Sequence, residues 1–162
     1  MKNNLLILGA ALIALSSCSV NKPKTTNEDS AAAAPLFARM SMKDTIKAGD
    51  SVLMKFTVYN NADSAQQFCK WHTPFEPLMS KYLEVKDQTG QEMQYQGAMA
   101  KRMMPPPASS YIKVNAKDSL SASVDLVKGY ALKQPSKYTI IYVGENMSGL
   151  VVKDSISFIF SK

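Results

Sequence analysis

The sequence predicts an all-β protein, an Ig-like two-sheet antiparallel β-sandwich of seven to nine short strands. Three observations predict it. Apolar and polar residues alternate at period two in one window after another. Clusters of Gly, Pro, Asn, Asp and Ser separate those windows. After the first seventeen residues, no window longer than a turn or two keeps the 3.6-residue spacing of an amphipathic helix.

The chain opens with a segment that is an address rather than structure. Lys2 gives a positive start, and Leu5 to Leu15 is an apolar run of eleven residues. That length suits a signal-peptide core and is too short to span a bilayer. Leu15-Ser16-Ser17-Cys18 has the lipobox form of an aliphatic residue, two small residues and a cysteine. Small residues let a peptidase approach the backbone, and the thiol accepts a diacylglycerol before cleavage. Two or three acyl chains anchor a protein stably, at about 0.8 kcal/mol per buried CH₂. The expected organisation is therefore a lipoprotein signal peptide over 1–17, a flexible tether over 18–34 after lipidated Cys18, and one sandwich domain over 35–162. Ser19 lacks the Asp that often retains lipoproteins in the inner membrane. The expected location is the bacterial cell envelope, lipid-anchored, in the outer membrane.

The strands follow in order. Val52, Met54, Phe56 and Val58 alternate with Leu53, Lys55, Thr57 and Tyr59 between two turn clusters. Gln66 to Lys70 is a second candidate. Tyr82 to Lys86 and Gln91 to Gln96 flank Asp87-Gln88-Thr89-Gly90 and suggest a hairpin. Gly97 to Ser110 is an exposed loop, because Pro105, Pro106 and Pro107 cannot sit in a ladder. Tyr111 to Val114 alternates again, and Leu120, Ala122, Val124 and Leu126 make one apolar face. A helical turn is expected within Leu126 to Leu132. Tyr138 to Val143 is β-branched and aromatic, the composition of a central strand. Pro135 to Tyr138 either enters a tyrosine corner or supplies a core aromatic. Val151 to Phe160 closes the chain, with Ile156, Phe158 and Phe160 on one face.

Composition removes several functions. Net charge is +6, with 20% charged and 46% apolar residues, so the body folds. One His and two Cys exclude a multi-His metal centre, a zinc finger and a disulfide scaffold. The densest basic pair, Lys101-Arg102, is too sparse for nucleic acid. No HExxH, Gly-x-Ser-x-Gly or phosphate-cradling loop occurs. Cys69, His72 and Glu76 could be drawn as a metal triad, but Pro74 breaks any helical register there. No metal, cofactor or catalytic residue is expected. Asp precedes Ser or Thr and then an aliphatic residue six times, at acceptors Ser30, Thr45, Ser51, Ser64, Ser119 and Ser155. The pattern resembles an O-glycosylation sequon of exported bacterial proteins, and Asp-Ser turn chemistry at strand starts also produces it.

Lys70-Trp71-His72-Thr73-Pro74-Phe75-Glu76 resembles a segment in the non-catalytic N-terminal region of deuterolysin-like (aspzincin, peptidyl-Lys type) metallopeptidases. The spacing of Tyr95-Gln96-Gly97, Lys101-Arg102, Tyr111, Val124-Asp125-Leu126, Tyr130 and Pro135 to Tyr138 is also similar. Pro77 departs from the family's usual Gly. The family's HExxH helix follows this region and has no counterpart here, so the resemblance implies a pro-region-like domain without proteolytic activity. It implies a partner: an exported zinc endopeptidase that the sandwich binds, inhibits or chaperones. The implied contact residues are Trp71, His72, Thr73, Pro74, Phe75 and Glu76, with Tyr95, Gln96, Gly97, Lys101 and Arg102. The alternative is a structural or adaptor envelope lipoprotein that binds another protein or a glycan.

Overall fold

A computed structural model describes residues 34–162. The leader, Cys18, Ser30 and all but the last residue of the tether lie outside the described residues. The strands are β1 (Leu36–Ser41), β2 (Thr45–Lys47), β3 (Leu53–Asn60), β4 (Gln66–Cys69), β5 (Leu83–Lys86), β6 (Tyr111–Val114), β7 (Ser119–Asp125), β8 (Ser136–Tyr142) and β9 (Ile156–Ser161). A single helical turn, α1 (Glu145–Ser148), and 3₁₀ turns at Ala108–Ser110 and Leu126–Lys128 complete the elements.

The strands form a three-stranded sheet in the order β1-β3-β7 and a four-stranded sheet in the order β2-β9-β8-β5. Their apolar faces share one core. Met54, Phe56 and Val58 of β3 are fully buried, as the alternation required, and so are Leu83, Val85 and Ile140 of the other sheet. The Phe56 ring meets the Tyr142 ring across the sheets at 5.2 Å. Burying each such side chain contributes about 1.5–3 kcal/mol. The Tyr138 hydroxyl donates to the Gln134 carbonyl at 2.8 Å while its ring is 1% exposed, so both readings of this residue hold together.

Among the described residues the architecture is an Ig-like sandwich with nine strands, and it shows four local departures from expectation. The ladders are not all antiparallel, because β2 runs parallel to β9. Residues 42–44 carry the chain from β1 in one sheet to β2 in the other. Neither β1 nor β2 stands out in the sequence. β4 and β6 pair with each other in a third, two-stranded ladder, with Cys69 opposite Tyr111. Residues 91–96 form no strand and make only single bridges, Lys86 to Glu92 and Tyr95 to Tyr130. The Asp87 carboxylate organises the turn that precedes them. It accepts from the amides of Thr89 and Gln91 and from the Thr89 hydroxyl, which closes the turn tightly around Gly90. Val151 makes an isolated bridge to Phe37, and the last strand begins only at Ile156.

Asn60 closes the end of β3. Its buried amide donates to the carbonyls of Ser64, Val114 and Asn115, and its side-chain oxygen accepts from the Ala62 amide. One side chain thus replaces water for several loop carbonyls.

Candidate functional site

Lys70 to Ser110 leave β4 and return to β6, and the Lys70 amide bonds to the Ser110 carbonyl at their base. The first part of this excursion is a corner built by Thr73, which is fully buried. Its hydroxyl donates to the Lys70 carbonyl at 2.6 Å and accepts from the Phe75 amide at 3.2 Å. His72 adopts the left-handed conformation, with φ of 58°. That turn points its amide to Glu76 Oε1 at 3.3 Å and its carbonyl to the Tyr142 hydroxyl at 3.0 Å. A carbonyl only accepts, so Tyr142 gives it the phenol proton. The Ser148 hydroxyl, 2.7 Å away, therefore donates to Tyr142 and accepts from the Leu150 amide.

The second part, residues 97–110, lies against that corner. The Ala100 amide donates to the Met79 carbonyl at 2.7 Å. Arg102 Nη2 donates to Glu76 Oε1 at 2.6 Å, and the guanidinium sits over the Trp71 ring at 4.7 Å. The Glu76 side chain is 8% exposed and that of Arg102 18%, so this ion pair is largely sheltered from water. Arg102 Nε and the Tyr82 hydroxyl are buried without a hydrogen-bond partner among the described residues. Burial pushes the Tyr82, Tyr130 and Tyr142 phenols well above their ordinary range. Burial also lowers the His72 imidazole. Glu76 opposes that shift and Arg102 adds to it.

The structure brings together Trp71, Glu76 and Arg102, three residues drawn from two separated segments. Trp71, Thr73 and Pro74 are buried and serve as the floor of the corner, with Phe75 set edge-on to Phe68. His72 is partly exposed. Tyr95 packs edge-on against Tyr130 and donates to the Ala98 carbonyl, and a side chain at Gly97 would collide with the Tyr95 ring. The Gln96 amide is held by the Gly129 carbonyl. Lys101 and Gln96 are exposed. The surface itself is dominated by Met99, Met103 and Met104, at 72%, 83% and 67% exposure. Tyr142 and Ser148 belong to the support of this end and were absent from the sequence-based set. The inward alternation of Tyr138, Ile140 and Tyr142 is the signal that could have found Tyr142.

Among the described residues no three His, Cys, Asp or Glu side chains come together. Cys69 is buried, and Glu76 is committed to Arg102 and the His72 amide. The five described acceptors of the Asp-Ser/Thr pattern, Thr45, Ser51, Ser64, Ser119 and Ser155, are all exposed. At one of them turn chemistry is visible, since Asp118 Oδ1 accepts from the Ser119 amide. A surface depression of about 700 Å³ lies elsewhere, between Ser41, Lys43, Asp50 and Lys55. No helix among the described residues is long and apolar enough to cross a membrane.

A family model described as an immunoglobulin-like domain matches residues 39–153. No curated protein matches the chain. Among solved structures, the chain is similar to the Pseudomonas fluorescens alkylpurine DNA glycosylase AlkC bound to DNA containing an abasic site analog. Identity is 11% and the TM-score 0.38, over 79% of this chain and 31% of the glycosylase. The chain thus spans about a third of that protein's length.

Proposed function

The chain belongs to the immunoglobulin-like domain family, and on that premise we propose that it is a non-catalytic binding module of the bacterial envelope, held to the membrane through acylated Cys18. Its partner in this reading is an exported deuterolysin-like zinc endopeptidase, which it inhibits or helps to fold. The observation that carries the reading is the joined loop end. The Glu76–Arg102 pair and the Arg102–Trp71 stack hold two long segments together, and three exposed methionines and Lys101 project from one of them.

Physical reasons favour such a surface for protein recognition. Sandwich domains of this class gather their loops at the two ends and bind there. Methionine, arginine and aromatic residues are enriched at interface cores. A loop already fixed to its neighbour loses less conformational freedom on binding. The resemblance of Lys70 to Glu76 to a peptidase pro-region supports the choice of partner class.

Binding and activity measurements with a purified deuterolysin-like peptidase test the proposal. Expected are a saturable complex, a change in peptidase activity, and weaker binding after Met103→Ser with Met104→Ser. No complex and unchanged peptidase activity at micromolar protein would reject it. The absence of catalysis is tested with the full chain in a general protease assay, with and without zinc. Activity that tracks the protein would overturn that part. Incorporation of a fatty-acid label that Cys18→Ser abolishes is the expected result for the anchor.

A further inference from the structure

We propose that Met99, Met103 and Met104 form a methionine-oxidation site, a patch of thioethers that hydrogen peroxide converts to sulfoxides while the sandwich stays folded. Three observations carry it. The first is exposure. These three side chains are 72%, 83% and 67% exposed, whereas Met40 and Met54 in the core are 8% and 0% exposed. Met42, Met79, Met93 and Met147 are intermediate. Oxidation follows access of the reagent to sulfur, so the three loop positions react first.

The second is clustering. The three sulfurs belong to one stretch of six residues that ends on Pro105, Pro106 and Pro107. The prolines keep that stretch out of any ladder. Met103 and Met104 carry large apolar side chains with no burial to offset their exposure.

The third is that the anchors of the loop do not involve these sulfurs. The Ala100 amide on the Met79 carbonyl and the Arg102 guanidinium on Glu76 hold the backbone on both sides of Lys101. Neither bond changes when a neighbouring thioether is oxidised. The patch therefore turns from apolar to polar without loss of the fold.

The chemistry balances simply. A sulfur lone pair attacks one peroxide oxygen, an S–O bond forms and the O–O bond breaks. The departing hydroxide takes the proton from the transferred oxygen and leaves as water. Sulfur is oxidised by two electrons and peroxide is reduced by two. Each site gains one oxygen, and a thiol-dependent sulfoxide reductase reverses the change.

The test is a time course of the full chain with limiting hydrogen peroxide, followed by peptide mass spectrometry and near-UV circular dichroism. Sulfoxide is expected at positions 99, 103 and 104 about tenfold faster than at 40, in line with the exposure ratio, and slowest of all at the fully buried 54, with an unchanged near-UV spectrum. The variant Met99→Leu, Met103→Leu, Met104→Leu should fold normally and lose the fast phase. Uniform oxidation of all methionines would overturn the proposal. So would loss of the near-UV spectrum in step with the fast phase, or a fast phase that survives the triple substitution. None of these readouts involves a peptidase, so they stand or fall separately from the partner reading.

Discussion

Arg102→Met in the full chain removes a charge from a sheltered pair and keeps an apolar stem over Trp71. Glu76, 8% exposed, then retains only the His72 amide at 3.3 Å. Removing one partner of a buried pair costs about 3–5 kcal/mol. The 18% exposure of Arg102 and the surviving amide bond place the expectation near the lower end, about 3 kcal/mol. Loss of the cation from the Trp71 face adds about 0.5–1 kcal/mol. Domains of this size hold about 5–15 kcal/mol in total, so the loss is a large fraction. With a urea slope of about 1–3 kcal/mol per M, the midpoint falls by roughly 1–4 M. Far-UV circular dichroism gives the midpoint. Trp71 is the only tryptophan, so the native emission reports the stack independently. Glu76→Gln should cost a similar amount, and the double variant should recover part of the loss. A midpoint shift below about 0.3 M would refute the reasoning, since it is the size expected of a solvent-screened surface pair. Strict additivity of the two substitutions would refute it as well.

Three further substitutions probe the support of the fold. Tyr138→Phe keeps the ring in the core and deletes the bond to Gln134, so it should cost about 1 kcal/mol by urea unfolding. Asn60→Ala strips partners from the Val114, Asn115 and Ser64 carbonyls. It should cost about 2–3 kcal/mol, read by the same unfolding curve. The lowered His72 group binds its proton less readily folded than unfolded. Its stabilising effect is therefore complete above the unfolded value near 6.5, and is lost as pH falls through that value towards the folded one. His72→Asn, which tolerates the left-handed turn, should flatten the fall in melting temperature between neutral and mildly acidic pH. An unchanged profile would show that His72 is not the group involved.

Much of the sandwich was legible because four strands carry their burial on alternate residues. β3 buries Met54, Phe56 and Val58, and β8 buries Tyr138, Ile140 and Tyr142. β1 has the same period, but its inward residues are Leu36, Ala38 and Met40, and Ala38 contributes little apolar area. β2 has three residues and one inward side chain, Ile46, which no periodicity test detects. Its parallel pairing depends on β9, more than a hundred residues later. Gln91 to Gln96 failed for the opposite reason. It has strand composition, yet beyond the Asp87 turn it makes only single bridges. At the loop end both segments were identifiable from the sequence, whereas their joining was not. Glu76 and Arg102 are 26 residues apart, outside any local spacing rule. Trp71 and Thr73 are conspicuous by type, yet only the fold shows that they lie beneath the surface.

The parallel ladder of β2 on β9 and the bridge from Phe37 to Val151 have a consequence for how the chain reaches its fold. The earliest described strands are completed by the latest ones. During synthesis β2 has no ladder partner until residues 156–161 have emerged, and β1 is paired only with β3. Such distant pairing forms slowly, because chain closure must be met before the contacts reward it. β2 therefore joins its sheet only in a late step, after β9 has been made, whereas β1, β3 and β7 can pair before it.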